Sequence, residues 1–311
     1  MTRILVAAEV ESFLRAREVP PDLHVDLLDP GAPIPSGEHE GFLALLTRRI
    51  GPAELDRLPR LRVVANMAVG YDNVDLDAAR DRGVLVSNTP DVLTDATAEL
   101  TWSLILAVAR RVGEGERLVR AGDWAGWEPT QLLGTGLRSK LLGIAGAGRI
   151  GHETARRAGA FGMRVAYWDQ DDRPELEREV GAVRVPELED LVARADVLSI
   201  HLASTPGTRG IIDGPLLDVM KPGAILINTA RGDVVDETAL MERLQSGRIR
   251  AGLDVFEAEP HVPEALRELD NVVLLPHLGS ATRETRQAMF DLAWDNVVRG
   301  VRGEPLLTPV T

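Results

Sequence analysis

The segment Leu141-Leu142-Gly143-Ile144-Ala145-Gly146-Ala147-Gly148-Arg149-Ile150-Gly151 decides the fold. Its apolar run has the length of a buried strand and leads directly into G-x-G-x-x-G, after which residues 154–161 carry small side chains on one face of a helical pattern. Strand, glycine turn and helix in that order give the glycines a physical meaning. The first permits a tight turn, the second lets the backbone approach a pyrophosphate, and the third allows the helix to pack on the strand. Free N–H groups at the helix start then meet the phosphate charge. The alternative is a glycine-rich turn with no ligand. Asp169 weighs against it, because it ends the next apolar run, 165–168, and lies 18 residues beyond Gly151. A carboxylate there accepts from an adenosine ribose, although an Asp at a strand end also serves as a turn residue. Taken together these features point to dinucleotide binding, with Gly146, Gly148, Arg149, Ile150, Gly151 and Asp169 as the expected contacts.

From residue 140 onward, short apolar runs at 141–145, 165–168, 197–202, 224–228, 252–256 and 272–275 alternate with helical patterns. That alternation reads as a parallel, doubly wound sheet. Weaker runs at 4–7, 42–46, 63–67 and 84–86, separated by Pro- and Gly-containing turns, predict a second, smaller α/β domain. Between them, residues 95–112 are apolar on nearly every side of a helical wheel after a Thr94/Asp95 cap candidate, so this helix must be buried between domains or subunits. Residues 113–140 are glycine-rich, contain Trp124, Trp127 and Pro129, and read as an irregular excursion.

At 311 residues and 44% hydrophobic content the chain has the material for two compact cores. The 48 acidic against 35 basic residues give a formal charge of -13, which argues against a nucleic-acid or anionic-membrane surface. A small anionic substrate stays compatible, since local cations and N–H groups set the potential inside a cleft. The absence of cysteine excludes disulfides, thiolate nucleophiles and cysteine-bound metal, and no metal site is expected. Only a brief apolar run precedes Glu9, too short for a signal peptide, and no run is long enough to span a bilayer. The expectation is a cytoplasmic protein.

Ligands of a doubly wound sheet sit at the carboxyl ends of its strands. Read in order, those ends offer Asp169, His201 with Ala203, Thr229-Ala230-Arg231, Glu257 to Glu259, and His277. Reduction of a 2-keto acid needs a grip on the carboxylate, polarisation of the carbonyl and a proton for the developing alkoxide. Arg231 can supply the first two through its guanidinium fork, and His277 the third, with a nearby Glu favouring the charged imidazolium. Each residue also has an ordinary alternative: a surface ion pair for Arg231, a structural hydrogen bond for His277, a turn flank for Glu259 before Pro260.

The chain resembles the D-isomer-specific 2-hydroxyacid dehydrogenases, nearest to the glyoxylate/hydroxypyruvate reductase branch. The resemblance rests on Asn66-Met67-Ala68-Val69-Gly70-Tyr71-Asp72-Asn73-Val74-Asp75, on the glycine fingerprint at 146–151, and on Asn228-Thr229-Ala230-Arg231-Gly232-Asp233-Val234-Val235. It continues through Gly252-Leu253-Asp254-Val255-Phe256-Glu257-Ala258-Glu259-Pro260 and Pro276-His277-Leu278-Gly279-Ser280-Ala281-Thr282. It implies that Arg231 binds substrate, that Glu259 assists an acid/base His277, and that backbone amides of Val69 and Gly70 hold the substrate carboxylate. By the same resemblance Asp254 contacts the nicotinamide carboxamide, and Ala203, Thr208, Thr229, Ala230, Arg231, His277 and Gly279 line the cofactor. It further implies an α/β fold of two doubly wound parallel-sheet domains. The larger, a Rossmann dinucleotide-binding domain at 99–284, is inserted into a smaller substrate domain made of 1–98 and 285–311. The helix from Asp95 and a second hinge near Ser280 would join the halves around a cleft. A homodimer through the cofactor domains is implied too, with Trp127 resembling the tryptophan that this branch inserts into its partner's substrate site; interface packing alone is the other reading. Two positions depart from the family pattern: Ala203 stands where relatives often carry Pro, and Arg138-Ser139-Lys140 replaces the usual Gly-Lys approach to the strand.

The expected partner is a small 2-keto or 2-hydroxy acid. Asp169, backed by Asp171 and Asp172 against the single Arg173, favours NAD(H) over NADP(H), because a carboxylate repels a 2′-phosphate. Rival readings are a phosphoglycerate or other D-hydroxyacid dehydrogenase of the same fold, and a dinucleotide-sensing corepressor-like binding protein. The first often adds a regulatory domain for which the chain has no space, and the second needs docking segments not seen here.

Overall fold

The computed structural model describes residues 1–310. Two units make up the chain, Met1–Leu93 with Ser280–Thr311, and Thr94–Gly279. In the first, strands β1 (Thr2–Ala7), β2 (Leu23–Leu28), β3 (Gly41–Ala44), β4 (Val63–Asn66) and β5 (Leu85–Ser87) form one sheet in the order β2-β1-β3-β4-β5. Every neighbouring pair is parallel. Strands β3 and β4 are buried throughout, which is why they read as continuous apolar runs. Strand β2 lies at the edge and mixes His24 and Asp26 with leucines, so it offered no such run and went unexpected. The helix Arg283–Arg302, capped by the Thr282 hydroxyl accepting from Thr285 N at 3.1 Å, belongs to this unit and packs on β3 and β4. The approach is close enough to require glycine on both sides: a Cβ at Gly41 would stand 2.7 Å from Val297, and one at Gly300 would stand 2.6 Å from Val63.

The second unit carries β6 (Leu141–Ala145), β7 (Arg164–Trp168), β8 (Val183–Arg184), β9 (Val197–Ile200), β10 (Ile225–Asn228), β11 (Arg250–Leu253) and β12 (Val272–Leu274). Their order is β12-β11-β10-β9-β6-β7-β8, again parallel throughout. Winding runs outward from β6 toward β8, then returns to the other side of β6 with β9. The β6/β9 boundary is therefore the topological switch point. Successive residues of β6 feed opposite faces, Leu142 and Ile144 into one apolar core, Leu141 and Ala145 into another, so both sides of the sheet are covered. Edge strand β8 has two exposed residues and left no trace in the hydrophobic pattern. The run at 252–256 is not all strand, because pairing begins at Arg250 and ends at Leu253.

The all-round apolar helix is Thr94–Ala109, buried in this unit against β10 and β11. Trp102 donates its indole N–H to Thr154 O at 2.9 Å and stacks on Phe161 with centroids 4.3 Å apart. Its solvent face is a narrow stripe of Asp95, Glu99 and Ser103, spaced four apart. The stretch read as irregular from residue 113 begins instead with a second helix, Val112–Ala121, stopped by Gly122 at φ 78°. Gly113 and Gly115 obscured it, while an Arg111–Glu114 pair with Nε–Oε1 at 2.8 Å steadies its first turn. Among the described residues, no helix is long and apolar enough to cross a membrane.

Candidate active site

The glycine turn sits at the switch point. Gly146 has φ 92°, and a Cβ there would stand 2.9 Å from the carbonyl of His201, the residue following β9. A Cβ on Gly151 would collide with Gly146 O, so the third glycine lets the helix Arg149–Arg157 close on β6. Gly148 is different: nothing lies within 4 Å of its missing Cβ, leaving bare backbone open to a ligand. The intrahelical ladder starts with His152 N donating to Gly148 O at 2.8 Å, so the N–H groups of Arg149, Ile150 and Gly151 precede it, as anion binding at a helix start requires. These features fit a dinucleotide.

Asp169 follows β7 and is tied into that turn. Its Oδ2 accepts from Ala147 N at 2.7 Å, while Oδ1 accepts from Asp171 N and from the Arg173 guanidinium, both at 3.1 Å. Burial pushes its pKa up, but the hydrogen bonds from Asp171, Arg173 and Ala147 outweigh this and hold the carboxyl below its ordinary range. Asp172 pairs with Arg184 at 2.7 Å, so Arg173 does not face the acidic loop alone.

At the far side of the switch point, Asn228 ends β10 and folds the next three residues. Its buried amide donates to Arg231 O at 2.8 Å and accepts from Ala230 N at 3.0 Å. Arg231 follows in extended conformation, donating to Ala230 O at 2.8 Å. Gly232 then lies flat on the backbone of Phe256 and Glu257, with no room for a Cβ. This brings the Arg231 turn onto the acidic segment: Glu259 accepts from Phe256 N through Oε1 at 3.1 Å and meets His277 Nδ1 through Oε2 at 2.8 Å. Burial raises the Glu259 pKa, while the His277 hydrogen bond and charge, Phe256 N–H and the charge of Arg231 more than reverse it, so Glu259 is an anion.

His277 occupies the left-handed region at φ 54°, a conformation that costs energy for a side chain with a Cβ. Asp254 over-determines it. The backbone N–H of His277 donates to Asp254 O at 2.9 Å, that of Leu278 to Oδ1 at 2.6 Å, and that of Gly279 to Oδ2 at 2.8 Å. Asp254 is fully buried, and burial raises its pKa. Sequence reading placed Asp254 only against the cofactor; in the structure it is the clamp that aims His277.

Other expected positions have plainer surroundings. The Thr208 hydroxyl closes its own loop, donating to Ala203 O at 2.5 Å and accepting from Thr205 N at 2.8 Å. His201 Nε2 lies 2.9 Å from Ser199 Oγ, and burial drives the imidazole pKa down to about 3, so it is neutral. In the first unit, Val69 O and Gly70 O accept from Asn88 and Asn66 at 2.8 and 3.0 Å, fixing the loop that presents their N–H groups. Asn66 and Asn73 hold that loop through a mutual amide pair at 3.1 Å. Trp127, in the second unit, is 80% exposed. Sequence reasoning assigned no role to Asn228, Asn66 or Asn73; for Asn228 and Asn66 the available signal was a polar residue closing an otherwise apolar strand.

The strand order and open glycine turn are those of a dinucleotide-binding domain. An imidazole–carboxylate pair beside an arginine suits proton transfer to an anionic substrate, and the class is a nicotinamide-dependent dehydrogenase. Residues 102–279 match the profile of the D-isomer specific 2-hydroxyacid dehydrogenase NAD-binding domain. The chain is 46% identical to glyoxylate reductase of Thermococcus litoralis over 89% of this chain and 86% of that one. It is 50% identical to glyoxylate reductase of Aeropyrum pernix, over 86% and 81%. In three dimensions it is similar to an NADPH-dependent glyoxylate/hydroxypyruvate reductase from Sinorhizobium meliloti, solved with NADP and malonate. That match has TM-score 0.89 at 36% identity, covering 100% of this chain and 97% of the other. The chain belongs to the D-isomer specific 2-hydroxyacid dehydrogenases.

Proposed function

We propose that the chain reduces a small 2-keto acid, glyoxylate or hydroxypyruvate, to the D-2-hydroxy acid. The observation that carries this reading is the 2.8 Å bond between His277 Nδ1 and Glu259 Oε2, with the Arg231 turn packed on the same acidic segment. Because Nδ1 is engaged, Nε2 is the nitrogen that hands a proton to the substrate oxygen. Glu259, anionic and anchored by Phe256 N–H, orients the ring through its bond to Nδ1. Arg231 grips the substrate carboxylate and polarises the carbonyl with one planar fork. The N–H groups of Val69 and Gly70 are assigned to the substrate carboxylate, the first unit acting as substrate domain. When bound, the reduced nicotinamide supplies the hydride for the carbonyl carbon. Gly146, Gly148, Arg149, Ile150, Gly151 and Asp169 would hold the adenosine diphosphate half, and Ala203, Thr208, Thr229, Ala230, Asp254 and Gly279 the other half.

NADH is the preferred reductant in this proposal, although the structural relative from Sinorhizobium meliloti is described as NADPH-dependent. Asp169 is held as an anion at the β7 exit and would face a 2′-phosphate across a short distance. A homodimer is also part of the proposal. The helix Val112–Ala121 has no buried residue, and Val112, Val119, Trp124, Trp127 and Leu133 leave much of their apolar surface bare within one chain. Trp127→Ala is expected to weaken dimerisation in sedimentation velocity, and a monomeric wild type would rule the dimer out. A cytoplasmic location completes the reading, checked by cell fractionation. The function itself is tested with glyoxylate, hydroxypyruvate, pyruvate and bulkier keto acids, each assayed with NADH and NADPH. Turnover highest with the two smallest substrates supports it; no turnover with any keto acid overturns it.

A further inference from the structure

The buried side of the helix Thr94–Ala109 is apolar except where Thr97 and Thr101, one turn apart, carry hydroxyls. Both lie beneath the site. Thr97 stands 3.4 Å from where a Cβ of Gly279 would be, and Thr101 Oγ lies 2.9 Å from Thr229 Oγ. Thr101 is fully buried and Thr229 is 8% exposed, so water is a poor substitute for either partner.

Thr101 Oγ has one hydrogen and two neighbours, Thr97 O and Thr229 Oγ, each at 2.9 Å. A buried helical threonine directs that hydrogen to the carbonyl four residues back. Thr101 can then only accept from Thr229, whose own hydrogen is consumed by the contact. What remains on Thr229 Oγ is lone pairs. We infer that Thr101 is a positioning residue that fixes Thr229 as a hydrogen-bond acceptor, so that this turn selects a ligand group carrying an N–H or O–H, such as the ribose hydroxyl or carboxamide of the nicotinamide half, over an anionic one.

The inference rests on the dinucleotide reading and extends it to one atom. A dinucleotide lies across the switch point. Asp169 and the glycine turn stand on the β6/β7 side, and Thr229 follows β10 on the other. ADP, which lacks the nicotinamide and its ribose, therefore needs the first set and not Thr229.

Dissociation constants for NADH and ADP, measured without substrate by fluorescence and calorimetry on wild type, Thr101→Val and Thr101→Ser, test this directly. Valine keeps the shape and removes the acceptor, and NADH should weaken about three- to tenfold from one lost hydrogen bond while ADP is unchanged. Serine should restore wild-type NADH binding. Thr229→Val should reproduce the selective loss, and it decides the matter should Thr101→Val fail to fold. Equal weakening of NADH and ADP, or unchanged NADH binding in either valine variant, overturns the inference. A wild type that binds neither NADH nor ADP would instead overturn the dinucleotide reading itself.

Discussion

Gly232→Ala is the substitution whose outcome the structure constrains most tightly. A Cβ at this position would fall well inside 3.0 Å of the Phe256 carbonyl and the Glu257 nitrogen, and these are backbone atoms that cannot rotate aside. Ordinary contact begins near 3.4 Å, so the Arg231 turn and the Phe256–Glu257 backbone must separate by about an ångström. Overpacking of this kind typically costs ~1–3 kcal/mol, which a two-core protein of this length tolerates. The functional cost is larger, since moving a catalytic group by about 1 Å lowers the rate roughly a hundredfold. Expected is a folded protein with kcat/KM for keto acid reduced about a hundredfold and ADP affinity unchanged, because the glycine turn at 146–151 is untouched. Gly148→Ala makes the opposite case: its Cβ meets nothing within 4 Å, so stability should hold while dinucleotide affinity falls. Urea denaturation, steady-state kinetics and calorimetry separate the two. Gly232→Ala with near-normal kcat/KM would refute the claim that this contact places Arg231.

Arg231→Lys should lose about tenfold to a hundredfold in kcat/KM for keto acids while still binding cofactor, since lysine keeps the charge but lacks the planar fork; unaltered kinetics would remove Arg231 from the substrate site. Glu259→Gln should lower kcat for keto-acid reduction about tenfold or more while cofactor still binds, because the charged acceptor that holds His277 Nδ1 is lost. An unchanged kcat would show the 2.8 Å contact to be functionally silent. The Glu259 pKa is depressed in the folded chain, so its contribution to stability is present above the unfolded glutamate pKa and lost as pH falls through the lower folded one. Wild type and the Gln variant should therefore differ in urea midpoint at neutral pH and converge in acid. Asp169→Ser should raise kcat/KM for NADPH relative to NADH, because Arg173 is released from its 3.1 Å bond to Asp169 and the carboxylate at the β7 exit no longer opposes the phosphate. A wild type that prefers NADPH would overturn the assignment to Asp169.

The sequence by itself determined what repeats locally. Parallel strands such as β6, β9 and β10 are buried at every position because both faces are covered, so they are mostly apolar and were visible as runs. Glycines at 146, 148 and 151, and the residues at strand exits, stood at fixed offsets from those runs. The edge strands β2 and β8 were not visible, because an edge is partly solvated and mixes polar with apolar side chains. The helix Val112–Ala121 was hidden by two glycines and by a face that one chain leaves bare. Tertiary structure alone decided how the site is aimed. Asp254 gathers the N–H groups of residues 277–279, Gly232 lies on a backbone 24 residues further on, and Thr101 reaches Thr229 across 128 positions of sequence. A hydrogen bond or a missing Cβ acts over about 3 Å in space, and no periodicity along the chain records which distant residue will be at the other end.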